Sequence, residues 1–115
     1  MPLKKLEDLI LKTLDKNKAE KVISVDLTGK SDVADRMVVA SGTSSRHVSS
    51  LADYVVMALK QAGYISVPTE GMETGDWVLV DAGDVIVHIF KPETRELYKL
   101  EKLWEIKIPE AEIAL

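Results

Sequence analysis

The chain of 115 residues contains no cysteine. Disulfides and thiolate metal sites are therefore excluded, and a reducing compartment fits the composition. No apolar run near the N-terminus is long enough for a signal-peptide core, and acidic residues interrupt it. A transit peptide is poor in acids, whereas Glu7, Asp8 and Asp15 stand in the opening stretch. No window approaches a membrane span. The expected home is the cytoplasm, with no membrane association. An excess of positive charge is also missing. The formal net charge is −4, and Lys and Arg are interleaved with acids. A generic grip on nucleic acid needs clustered cations, so little direct nucleic-acid binding is expected and a basic partner is favoured. Aromatic residues are scarce too, at 5% of the chain, and most fall between Trp77 and Trp104.

What is present is ordinary globular chemistry, 46% hydrophobic and 30% charged. The length suits one domain spanning residues 1–115, with the tail 105–115 expected to be mobile or lightly docked. Leu3, Leu6, Leu9, Ile10 and Leu14 recur at helical spacing and predict an amphipathic helix over Leu3–Lys16. "VISVDLT", Val22–Thr28, and "RMVVAS", Arg36–Ser41, predict strands. A helix follows from Ser44 or Ser45, with an apolar stripe from Val48 to Ala62 and Gly63 just past its end. "YISVPTEG" is a weak strand that Pro68 confines to an edge. "DWVLVDAGDVIVHIF" reads as a hairpin turning at Asp81–Asp84. Its two apolar runs imply a central place in the sheet, covered on both faces. Pro92 opens a last helix, on which Leu97, Leu100 and Leu103 are expected to point inward. The order predicts an α/β (α+β) domain: a mixed sheet of about five strands flanked by helices.

Candidate chemistry is sparse. "GKS" at Gly29–Ser31 lacks the earlier glycine of a P-loop, since Ser24 stands there, and opens no helix. "SGTSSRH", Ser41–His47, has two readings. Ser44 or Ser45 caps the helix, or the loop presents N–H groups and Arg46 to an anion; capping is the simpler. Asp26, Asp32, Asp35, Asp81 and Asp84 lack the spacing of a carboxylate metal site. His47 and His88 have no Gly-x-Ser-x-Gly elbow to serve, and His88 lies in a strand where structural histidines are common. No catalytic residue, metal or cofactor is expected. Trp77, Arg95, Tyr98 and Trp104 are the residue types that anchor protein interfaces. In a small domain they are equally core residues, and the pattern leaves both readings open.

"DLTGKSDVADRMVVASGTSSRHVSSLAD" followed by "DWVLVDAGDVIVHIFKPETRELYKLEKLW" resembles the ribosomal silencing factor family, also called Iojap or RsfS. The likeness runs from about Leu6 to Trp104. It implies a nucleotidyltransferase-like core without that superfamily's catalytic carboxylates. It further implies a cytoplasmic, bacterial-type repressor of translation under nutrient limitation. Such a protein binds the large ribosomal subunit through its protein fourteen and sterically blocks the small subunit. The resemblance carries partner-binding roles to Trp77, His88, Arg95, Tyr98, Leu100, Glu101 and Trp104, with Arg95 and Glu101 orienting the partner. Two other readings stand beside it. One is a nucleotidyltransferase-like enzyme using Ser44, Ser45 and nearby Asp residues. The other, compatible with silencing, is a homodimer made by the exposed aromatics.

Overall fold

Leu6, Ile10 and Leu14 recur every four residues and line the buried side of the first helix, α1, Leu3–Lys16. The computed structural model describes residues 1–98, with the Tyr98 side chain excepted; Leu100, Glu101, Leu103, Trp104 and the tail 105–115 lie outside the described residues. Asn17 ends α1 and donates its side-chain N–H to the Thr13 carbonyl at 2.8 Å.

Strand β1, Glu20–Asp26, starts and stops earlier than the apolar pattern predicts. Two local features set its limits. Lys21 has φ of +48°, and the pairing register shifts between Glu20 and Ile23, so the strand begins on a bulge. At the other end, Asp26 Oδ1 accepts the Thr28 N–H at 2.9 Å and turns the chain away. Strand β2, Arg36–Ser41, falls where the sequence predicts it.

Helix α2, Ser45–Gln61, buries Val48, Leu51, Ala52, Val55 and Leu59. Ser44 is its cap and accepts the His47 N–H at 3.1 Å. At the far end the Gly63 N–H bonds the Lys60 carbonyl and the Tyr64 N–H bonds that of Leu59. This double closure needs a left-handed residue, and Gly63 supplies it at φ +109°. Three strands follow: β3, Thr69–Glu70, β4, Trp77–Asp81, and β5, Val85–Phe90. The chain then forms a helix, α3, described over Pro92–Tyr98.

Among the described residues, the sheet has five strands in the order β1-β2-β5-β4-β3. Only β2 and β5 run parallel; the other neighbours are antiparallel. Helices α1 and α2 cover one face. Their buried side chains form a single core with Val38, Ala40, Val78, Val80, Val85, Val87 and Ile89. The mixed α+β architecture is therefore the predicted one, and β3 is the weak edge strand that Pro68 implied. β5 is the central strand.

Two expectations fail. The hairpin is not covered equally on both faces: β4 alternates buried Val78 and Val80 with half-buried Trp77, Leu79 and Asp81. On that second face a smaller cluster forms, in which Leu27 and Ala34 from the β1–β2 connection pack on Met37, Val39 and Phe90. Leu97 does not point inward; it is 77% exposed. Arg95 takes the inward side of α3 instead, and two residues at helical pitch carry Leu97 about 200° round the axis. Among the described residues, no helix is long and apolar enough to cross a membrane.

Candidate partner-binding surface

The second sheet face gathers aromatic rings. Trp77 on β4 pairs with Phe90 on β5, and His88 lies two residues back on the same side. The Trp77 and Phe90 ring centroids are 5.0 Å apart, Trp77 and His88 5.8 Å, and His88 and Phe90 6.2 Å with rings nearly parallel. Phe90 and His88 are buried, while Trp77 is half-buried at the rim. The Trp77 indole Nε1–H donates to His88 Nδ1 at 3.0 Å. Since Nδ1 accepts, the neutral ring carries its proton on Nε2. Burial disfavours the imidazolium and lowers the His88 pKa to about 4.

Charges frame this rim. Lys91 Nζ reaches Asp76 Oδ1 at 3.1 Å and Glu93 Oε1 at 3.7 Å. The hydrogen bond to Asp76 raises the Lys91 pKa. The Lys91 N–H also bonds the Asp76 carbonyl, extending the β4–β5 ladder to the start of α3. From α3, Arg95 turns into the protein, where its Nη1 donates to the Lys21 carbonyl and to Ser41 Oγ at 3.0 Å. The bulge at Lys21 thus faces a guanidinium, and α3 is tied to β1 and β2 at once. Arg95 is consequently an internal tie; the resemblance had cast it as a partner contact. Tyr98 is the last described residue of α3, and Leu97 before it is exposed.

Sequence reasoning gave the Ser41–His47 loop a cap and left His47 without a role. His47 Nδ1 accepts the Thr43 N–H at 2.9 Å, so its Nε2–H donates to the Asn17 carbonyl at 3.1 Å. One imidazole thereby joins the start of α2 to the end of α1. The pairing of His47 with Asn17 spans thirty residues, so no local signal could have found it. Ser45 Oγ faces Asp76 Oδ1 at 3.5 Å. Asp26 takes Arg36 Nη1 at 2.6 Å, and Glu7 accepts from Ser24 and also faces Arg36. The Thr28 N–H bond lowers the Asp26 pKa. Among the described residues no group of three or more His, Asp or Glu is placed to hold a metal. A shallow groove of about 210 Å³ between α1 and α2, lined by Lys16, Tyr54 and Met57 among others, is smaller than typical small-molecule sites.

Residues 2–114 match the family model described as ribosomal silencing factor during starvation. The chain belongs to the ribosomal silencing factor family. Its similarity to the bacterial members spans most of both chains. It is 43% identical to a Ribosomal silencing factor RsfS of Haemophilus influenzae over 86% of this chain and 97% of that one. Against a protein of the same name from Zymomonas mobilis the identity is 46%, over 84% and 72%. A mouse protein named for mitochondrial assembly of the ribosomal large subunit is 34% identical over 87% of this chain and 45% of its own. The fold agrees as well. A crystal structure of a Chromobacterium violaceum protein superposes with a TM-score of 0.88 at 40% identity, covering 91% of this chain and 88% of that one. The family model and the bacterial relatives carry a regulatory name and not an enzymatic one.

Proposed function

We propose that this protein silences ribosomes by binding the large subunit and obstructing its union with the small one. The contact is protein fourteen of the large subunit, met by the rim around Trp77 and by α3 with the segment that follows it, including Tyr98, Leu100, Glu101 and Trp104. One observation supports this surface above the others. Among the described residues, α1 and α2 protect one sheet face, while the other carries the half-buried Trp77, and α3, tied to Ser41 by Arg95, exposes Leu97. Apolar, aromatic surface with charged neighbours is what interface centres use. The name of the mouse relative supports the large subunit as the binding half. The net charge of −4 favours a basic ribosomal protein over the surrounding RNA. The mechanism is steric. A body measuring 34 × 33 × 21 Å needs no chemistry to occupy the space a second subunit requires. The setting is the cytoplasm under nutrient limitation, in keeping with the starvation in the family description.

Binding to purified large subunits, read by co-sedimentation, tests the surface. Trp77→Ala is expected to weaken it by about 2 kcal/mol or more, with circular dichroism unchanged. Unaltered binding would remove Trp77 from the interface. Among the described residues, the groups named for a nucleotidyltransferase reading have structural work: Ser44 caps a helix and Asp26 is held by Arg36 and Thr28.

A further inference from the structure

We infer that His88 is a positioning residue which locks the indole of Trp77, so that a partner meets Trp77 through its ring carbons and receives no hydrogen bond from its N–H. The inference rests on the interface reading above and specifies the chemistry of that contact.

Three observations carry it. First, the indole N–H is already used: Nε1 donates to His88 Nδ1 at 3.0 Å, a normal hydrogen-bond length. An indole has one polar hydrogen and no acceptor, so this bond exhausts its polar capacity. Second, the acceptor is itself fixed. His88 is 2% exposed, sits in the central strand between Val39 of β2 and Leu79 of β4, and lies nearly parallel to Phe90 at 6.2 Å. It cannot follow Trp77 if the indole swings out. Third, Trp77 is only half-buried. A rim tryptophan with a free N–H samples several rotamers, and ordering it on binding costs entropy. Tethered by its nitrogen and packed against Phe90 at 5.0 Å, it is held ready before the partner arrives. His88 itself is too buried to touch the partner, which replaces the contact role the resemblance assigned to it.

The chemistry on offer is therefore a fixed aromatic hydrocarbon surface. It suits an aliphatic side chain or the stem of a lysine or arginine, with Asp76 and Glu93 close by for the charged end.

A double-mutant cycle on the intact protein tests this, with purified large ribosomal subunits as the probe. His88→Phe keeps a ring of similar size but offers no acceptor. It is expected to weaken binding about tenfold while circular dichroism and the urea midpoint show a folded protein. In a Trp77→Phe background, where no N–H remains to be held, the same substitution is expected to change affinity less than twofold. The assigned Trp77 indole 15N–1H resonance reports the bond directly. It should be slow to exchange with solvent in the wild type, fast in His88→Phe, and still slow in the complex. Equal losses in both backgrounds, or an indole proton that exchanges rapidly in the free protein, overturn the inference. If Trp77→Ala weakens binding and His88→Phe does not, positioning alone is refuted. If Trp77→Ala leaves binding unchanged, the interface reading falls and the inference falls with it. His88→Asn supplies a second variant able to accept the N–H; it should bind more tightly than His88→Phe, and the reverse order refutes the role.

Discussion

His88 offers a proton no ready place: Nδ1 already accepts from Trp77, and the ring is shut away from water. In an unfolded chain the same imidazole titrates near 6.5, whereas burial holds it to about 4 in the fold. Between those values the unfolded state binds more protons, so stability must fall as pH falls. The contribution is whole above about pH 6.5 and is lost by about pH 4; a shift from 6.5 to about 4 corresponds to about 3 kcal/mol. Urea titrations at pH 7 and 4.5 should show the wild type losing about 2 kcal/mol more between them than His88→Asn does. Equal losses would mean that His88 is not buried neutral. Ser44 makes a smaller claim at the same scale. It satisfies one orphan N–H at the head of α2, so Ser44→Ala should lower stability by about 1 kcal/mol without altering the m-value.

At the scale of elements, Arg95 ties α3 to the sheet. Arg95 reaches the Lys21 carbonyl and Ser41 from the described span of α3, Pro92–Tyr98. Arg95→Ala is expected to destabilise the domain by about 2 kcal/mol. It should also release the α3 amides to rapid hydrogen exchange and weaken large-subunit binding; unchanged α3 protection would show that the tie is dispensable. This element also shows where the sequence stops being legible. α1, β2, α2 and the β4–β5 hairpin could be read because apolar period, cap and turn residues all agree within a few positions. The expectation that Leu97 points inward failed because it ignores Arg95. A guanidinium becomes the inward residue only when a carbonyl from β1, 74 residues away, is turned to meet it. The same holds for the candidate site. Trp77 could be picked out as an interface type, but its hydrogen bond to His88 depends on strand register, which no local pattern records. The one-sided covering of β4 likewise follows from strand order, since only β5 takes the centre.

The whole molecule is asymmetric. Among the described residues, two long helices close one face of the sheet, and the other carries a connection, a rim of aromatic rings and α3. Family membership joins this asymmetry to ribosome silencing, and the proposed folded obstacle needs no catalysis. The direct measurement is sucrose-gradient sedimentation of purified small and large subunits, mixed under associating conditions with and without saturating protein. The expected profile has the protein migrating with the large subunit and the joined-ribosome peak lost, in the absence of any nucleotide. A full joined peak with the protein bound to it would contradict the account.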